Sequence, residues 1–173
     1  MRDFNIRNRL RSWMHTNREI VRFLLFFSVL LMVFFVVFSF ISSLFDFLRV
    51  GTAHLTSAVA DLLGMETKVH GSTLSMETMD FEVIAECTGV FAVMIYAAAV
   101  VAYPARWKQR GLGLVVGIPL IFGVNVARMV ALVYVALFHE NSFEYVHSYL
   151  WQGTFVIFVI LVWFLWIRRV VHP

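Results

Sequence analysis

Three residues of this 173-residue chain could do chemistry by type and position: the only cysteine, an arginine inside an apolar run, and a histidine bordering another. Cys87 stands in Glu86-Cys87-Thr88-Gly89, at the head of an apolar stretch. A thiol at a helix N-terminus meets unpaired N–H groups and the positive end of the macrodipole. Both favour the thiolate, which is the nucleophile, so its pKa is expected below the free-thiol value of about 8.5. The plainer reading is a small apolar side chain in a membrane helix. Glu86 and the Thr88-Gly89 break weigh against that, because they interrupt a smooth apolar surface.

Arg128 lies in an otherwise uncharged run, with Asn125 three residues earlier on the same helical face. A guanidinium within a span costs about 2.5–3.5 kcal/mol on insertion scales, so it has a partner or a task. Beside a reacting carbonyl it would stabilise an oxyanion or hold a carboxylate; the alternative is snorkelling to the outer headgroups. His147 ends the segment His139-Glu140-Asn141-Ser142-Phe143-Glu144-Tyr145-Val146-His147. Its imidazole titrates near neutrality, and it could take a thiol proton and return it to a leaving amine. His147 is preferred because it abuts an apolar run, whereas His139 belongs to a solvated loop. A zinc site from the two histidines and a carboxylate does not match H-E-x-x-H spacing, so neither metal nor cofactor is expected. One cysteine also excludes an internal disulfide.

The elements that must position these groups follow from composition. Hydrophobic residues make up 61% of the chain and charged ones 14%, and the mean hydropathy is +0.81. A soluble domain is nearer half apolar and a quarter charged. A cytosolic domain, a disordered tail and a secreted disulfide scaffold are thereby excluded. The expectation is a polytopic membrane protein forming one domain over 1–173. A span needs about 20 largely apolar residues. Four runs qualify: 23–45, 87–107, 112–138 and 148–167. The second needs both its ends to cross.

Although the formal net charge is +3 and the pI near 9.4, the basic residues flank apolar runs, a pattern of topology and not of nucleic-acid binding. Eleven of the fourteen basic residues fall within 1–22, 106–110 and 168–173, which four spans place on one side. That side should be cytoplasmic, with both termini inside and 46–86 and 139–147 outside. Within 46–86, Leu48, Leu55, Val59 and Leu62 recur at helical spacing, with His54, Ser57 and Asp61 on another face. This predicts an amphipathic helix at the outer interface. The runs 68–74 and 79–84 then suggest a short hairpin. The fold class is therefore an all-α polytopic membrane protein of four transmembrane helices, with a fifth, interfacial helix and a small extracytoplasmic hairpin. Gly111, Gly113, Gly117 and Gly123 would allow close helix approach in the third span, and Pro119 would disturb it. Arg128 is the 17th residue of that span, about 25 Å from its inner end. Cys87, Arg128 and His147 thus converge on the outer leaflet from three helices.

The order Glu86-Cys87-Thr88-Gly89, Asn125-x-x-Arg128 and His147, all on one side, resembles the exosortase/archaeosortase family. The likeness runs from about Lys68 to Ile167, with Thr88 where the family more often has serine. It implies a cysteine transpeptidase-like sorting enzyme of the cell membrane, in a compact form. Its partners would be exported proteins ending in a motif, a transmembrane helix and a basic tail. Cys87 would be the nucleophile, His147 the acid and base, and Arg128 the electrophilic helper, with Glu86, Thr88, Gly89 and Asn125 in support. The rival reading is a non-enzymatic membrane subunit that binds lipid-anchored or transmembrane partners, with Cys87 incidental.

Overall fold

The computed structural model describes residues 17–40, 42–76, 80–138 and 151–172. Helix α1 spans Arg18–Phe40 and has no buried residue. A helix this apolar, with none of its residues buried in protein, is suited to hydrocarbon, where its backbone bonds are satisfied internally. Only Ile41 separates it from α2, Ser42–Leu62. Residues 23–40 of the first apolar run thus lie in α1 and residues 42–45 open α2, which begins before the leucine stripe.

The face of α2 that packs inward is not its leucine stripe. Thr52, Ala53, Thr56, Ser57 and Ala60 are buried, while Leu55 and Leu62 are exposed. Ser57, placed by its spacing on another face than the leucines, shares a hydrogen bond of 2.7 Å with the hydroxyl of Thr67. Small side chains let the helix approach its neighbours closely, and leucines lose little by facing lipid.

The next segment forms three strands, one more than a hairpin: β1 Lys68–His70, β2 Thr73–Ser75 and β3 Asp80–Glu82, antiparallel in that order. The first run folds on itself at Gly71, whose φ of 63° suits a two-residue turn. Val69 faces Leu74, and Leu74 faces Phe81. Arg49 of α2 fastens this sheet. Its Nε donates to the Val83 carbonyl at 2.9 Å and its Nη2 to Ser72 Oγ at 3.1 Å. The same guanidinium pairs with Glu82 and, at 3.3 Å, with Asp46.

After a 3-10 turn at Ala85–Thr88 come α3, Val90–Ala102, and α4, Trp107–Phe138. The 13 residues of α3 extend about 20 Å, short of a hydrocarbon core of about 30 Å. It starts late because Gly89 is left-handed, with φ 76°. It ends early because Tyr103, at φ −69° and ψ 138°, precedes Pro104, a position that disfavours helix. The span expected over 87–107 is therefore only partly helical. Among the described residues, three helices are long and apolar enough to cross a membrane: Arg18–Phe40, Trp107–Phe138 and Gly153–Val171. The last comprises α5, Trp151–Trp166, and a π turn at Ile167–Val171. Pro119 lies within α4 without ending it.

Helices α3, α4 and α5 are joined by two polar clasps. Tyr96 donates its hydroxyl to the Gly113 carbonyl at 2.9 Å, and the Trp166 indole donates to the Gln109 carbonyl at 2.9 Å. Two of the four glycines make room for these rings. A Cβ on Gly117 would collide with the Tyr96 ring and one on Gly113 with the Trp166 indole, while Gly111 and Gly123 have nothing within 4 Å. Gly117→Ala should therefore destabilise the detergent-solubilised protein by about 1–3 kcal/mol through overpacking. Gly111→Ala should be neutral or slightly stabilising, since it only restricts the unfolded chain. Thermal unfolding of the two variants checks this, and equal midpoints would contradict it.

Candidate active site

Cys87 does not sit at the N-terminus of a helix, as the spacing suggested. It occupies the 3-10 turn outside the spanning segments, and its N–H donates to the Ile84 carbonyl at 2.9 Å. Thr88 secures the turn: its hydroxyl donates to the Ala85 carbonyl at 2.7 Å and accepts from the Val90 N–H at 3.3 Å. That second bond satisfies one of the free donors opening α3. Gly89 then reverses the backbone, so the thiol lies apart from the α3 axis.

Gly89 is required for two reasons. Its φ is positive, and a Cβ there would stand 2.9 Å from Asn125 Cγ. This close approach lets Asn125 of α4 reach the turn, where its Nδ2 donates to the Cys87 carbonyl at 2.8 Å. Asn125 is wholly buried. Arg128 follows three residues later on the same face and is only 7% exposed. Its guanidinium carbon lies 5.4 Å from the centroid of the Phe155 ring, so α5 closes over it, and the contact is a cation–π one. Snorkelling to the headgroups does not describe such a side chain.

The thiol itself is 2% exposed, in a cluster with Ala53, Leu74, Val83, Met129 and Leu132. Burial pushes its pKa up from the ordinary value. A backbone hydrogen bond at Ile84 and then the charge of Arg128 pull it back down, and the carboxylate of Glu86 adds to the rise. The expected depression by a helix N-terminus is thus replaced by a rise from desolvation, which Arg128 opposes in part. Two polar atoms of the site, Asn125 Oδ1 and Arg128 Nε, are buried without a hydrogen-bond partner among the described residues. Buried polar groups are usually satisfied, so both atoms call for a partner beyond the described residues, either a bound molecule or the rest of the chain.

The structure therefore brings together Cys87, Thr88, Gly89, Asn125 and Arg128. Glu86 is exposed. His147 and His139 lie outside the described residues, and α5 opens four residues after His147. Sequence reasoning missed Phe155, which carried no local signal. It also missed Thr52 and Thr56, whose signal was the small-residue stripe at 52, 53, 56, 57 and 60.

The arrangement presents a buried thiol, a guanidinium acting on it, and open hydrogen-bonding capacity around both. That suits attack on a carbonyl and stabilisation of the resulting oxyanion. A family model described as "Transmembrane exosortase (Exosortase_EpsH)" matches residues 12–167. We found no match to the chain among curated proteins or among solved structures.

Proposed function

The chain belongs to the transmembrane exosortase family, and from that premise we propose that it is a membrane-embedded cysteine peptidase and transpeptidase. Membership supports a membrane protein-sorting transpeptidase at the level of the family. In our reading it cleaves C-terminal sorting signals, each a short motif, a transmembrane helix and a basic tail, on exported proteins. It does so at the extracytoplasmic face of the cell membrane, with four crossings and both termini inside.

The reaction runs through a thioester. Cys87 attacks the scissile carbonyl as its proton passes to His147, and the carbonyl oxygen takes the negative charge. Arg128 stabilises that oxyanion. The C–N bond then breaks, His147 returns the proton to the leaving amine, and the substrate acyl group remains on sulfur. Water or an amine-bearing acceptor resolves the thioester. The observation that carries this reading is the Asn125–Cys87 hydrogen bond of 2.8 Å, which holds the nucleophile's turn against the helix bearing Arg128. Phe155 adds support, because its contact with Arg128 brings in the helix that follows His147.

The burial of Cys87 favours the rival, a non-enzymatic subunit in which the thiol only packs. A covalent intermediate separates the two. The protein is co-expressed with a secreted reporter ending in a span and basic tail, and adducts are sought by mass spectrometry. The expected result is a hydroxylamine-labile adduct on Cys87, lost in Cys87→Ala. No adduct, together with normal processing by Cys87→Ala, would establish the subunit.

A further inference from the structure

Asn125 and Arg128 are not the only unsatisfied groups near Cys87. Thr52 and Thr56 of α2 are 1% and 0% exposed, and neither hydroxyl has a hydrogen-bond partner among the described residues. A threonine inside a helix ordinarily has the carbonyl four residues back within reach. Neither takes it. The two stand one turn apart, so both face the same way. The helix packs against the cysteine turn. One turn earlier Arg49 donates to the carbonyl of Val83, and Ala53, between them on the buried face, shares the apolar cluster of Cys87, Met129 and Leu132.

We infer that Thr52 and Thr56 form one wall of a peptide-binding slot at Cys87, opposite Asn125 and Arg128, and hydrogen-bond the main-chain amides flanking the scissile bond. The chemistry of the four groups matches an extended peptide. Arg128 Nε only donates and Asn125 Oδ1 only accepts, whereas a hydroxyl does either. Alternating C=O and N–H groups of a peptide need such a set, and they impose no side-chain preference. The motif of the signal would be read elsewhere, while the slot takes backbone. This rests on the peptidase reading above, and it identifies Thr52 and Thr56 as substrate-positioning residues.

The test uses two small thiol reagents on the full-length protein in membranes. Iodoacetamide carries a primary amide next to the attacked carbon, and methyl methanethiosulfonate carries none. In Thr52→Val/Thr56→Val the shape is kept and the hydroxyls are lost. The labelling rate of Cys87 by iodoacetamide, divided by that for methyl methanethiosulfonate, should fall about tenfold, the scale of one or two neutral hydrogen bonds. Thr52→Ser/Thr56→Ser, which keeps the hydroxyls, should restore the ratio. On the span-and-tail reporter, the valine variant should raise KM about tenfold and leave kcat within about twofold, as loss of uniform binding does. An unchanged ratio, equal changes in both rates, or no labelling of the unmodified protein by iodoacetamide would overturn the inference. If the double variant does not accumulate, Thr56→Val alone is held to the same criteria. Failure of the peptidase reading would show separately, as reporter processing by Cys87→Ala.

Discussion

Cys87→Ala should abolish processing of the sorting signal, by more than about a thousandfold, and leave the protein folded and inserted. The activity loss follows from removal of the only thiol, since no second nucleophile of that class exists in the chain. Retention of the fold follows from the surroundings of Cys87. Its neighbours Ala53, Leu74, Val83, Met129 and Leu132 are apolar, so alanine gives up one small buried atom. The Asn125 bond survives, because it uses the Cys87 carbonyl and not the side chain. Cys87→Ser should fare worse in stability. It sets a hydroxyl into that apolar cluster, at about 1–3 kcal/mol if unpaired, and a hydroxyl is not deprotonated under conditions that suit a thiol. Reactivity toward alkylating reagents has a definite pH dependence. Desolvation raises the thiol pKa, so the thiolate fraction at neutral pH is below that of a free cysteine. Labelling should be slow at pH 7 and keep rising above the ordinary thiol range. A processing assay on intact cells, with alkylation rates from pH 6 to 10, checks both points. Normal processing by Cys87→Ala would remove the enzyme, and a plateau below pH 8 would mean that Arg128 outweighs burial.

Arg128→Lys should lower kcat/KM for the same reporter by at least about tenfold, and Arg128→Leu by about a hundredfold or more, as expected for the loss of an oxyanion donor. Lysine keeps the charge but not the planar fork, and its ammonium is a strongly hydrated point charge. Beside the Phe155 ring and 7% exposed, Arg128 occupies a setting that suits a guanidinium better. Leucine removes the insertion cost of about 2.5–3.5 kcal/mol and an Nε that has no partner among the described residues, so this variant should accumulate at least as well as the parent. High protein level with lost processing is therefore the diagnostic combination. Full processing by either variant would leave Arg128 a packing role against Phe155.

Much of this protein is legible in its residues taken in order. Long apolar runs, the charges that bound them and a lone arginine within one of them are local features, and membrane insertion acts on local composition. Cys87 before an apolar helix, and Asn125 and Arg128 on one face of another, needed no tertiary information beyond helical periodicity. Gly89, singled out beside the cysteine, acquires its reason only when Asn125 is seen 2.9 Å from the Cβ it lacks.

What only the tertiary structure decided is which surfaces meet. The leucines of α2 marked its apolar face but not the face that meets protein: Leu55 and Leu62 are exposed and the hydroxyl-bearing face of Thr52, Ala53 and Thr56 is inside. Hydrophobic periodicity finds the packed face when the alternative is water. Where the alternative is lipid, an apolar side chain gains about as much facing outward, and close packing selects the small residues instead. The clasp of Arg49 on Val83, the seat of Phe155 over Arg128 and the burial of Cys87 all join segments far apart in the chain. No local pattern encodes such pairings. The thiol shows the consequence most plainly: a place near a helix start promised an acidic cysteine, and the neighbours that enclose it raised its pKa instead.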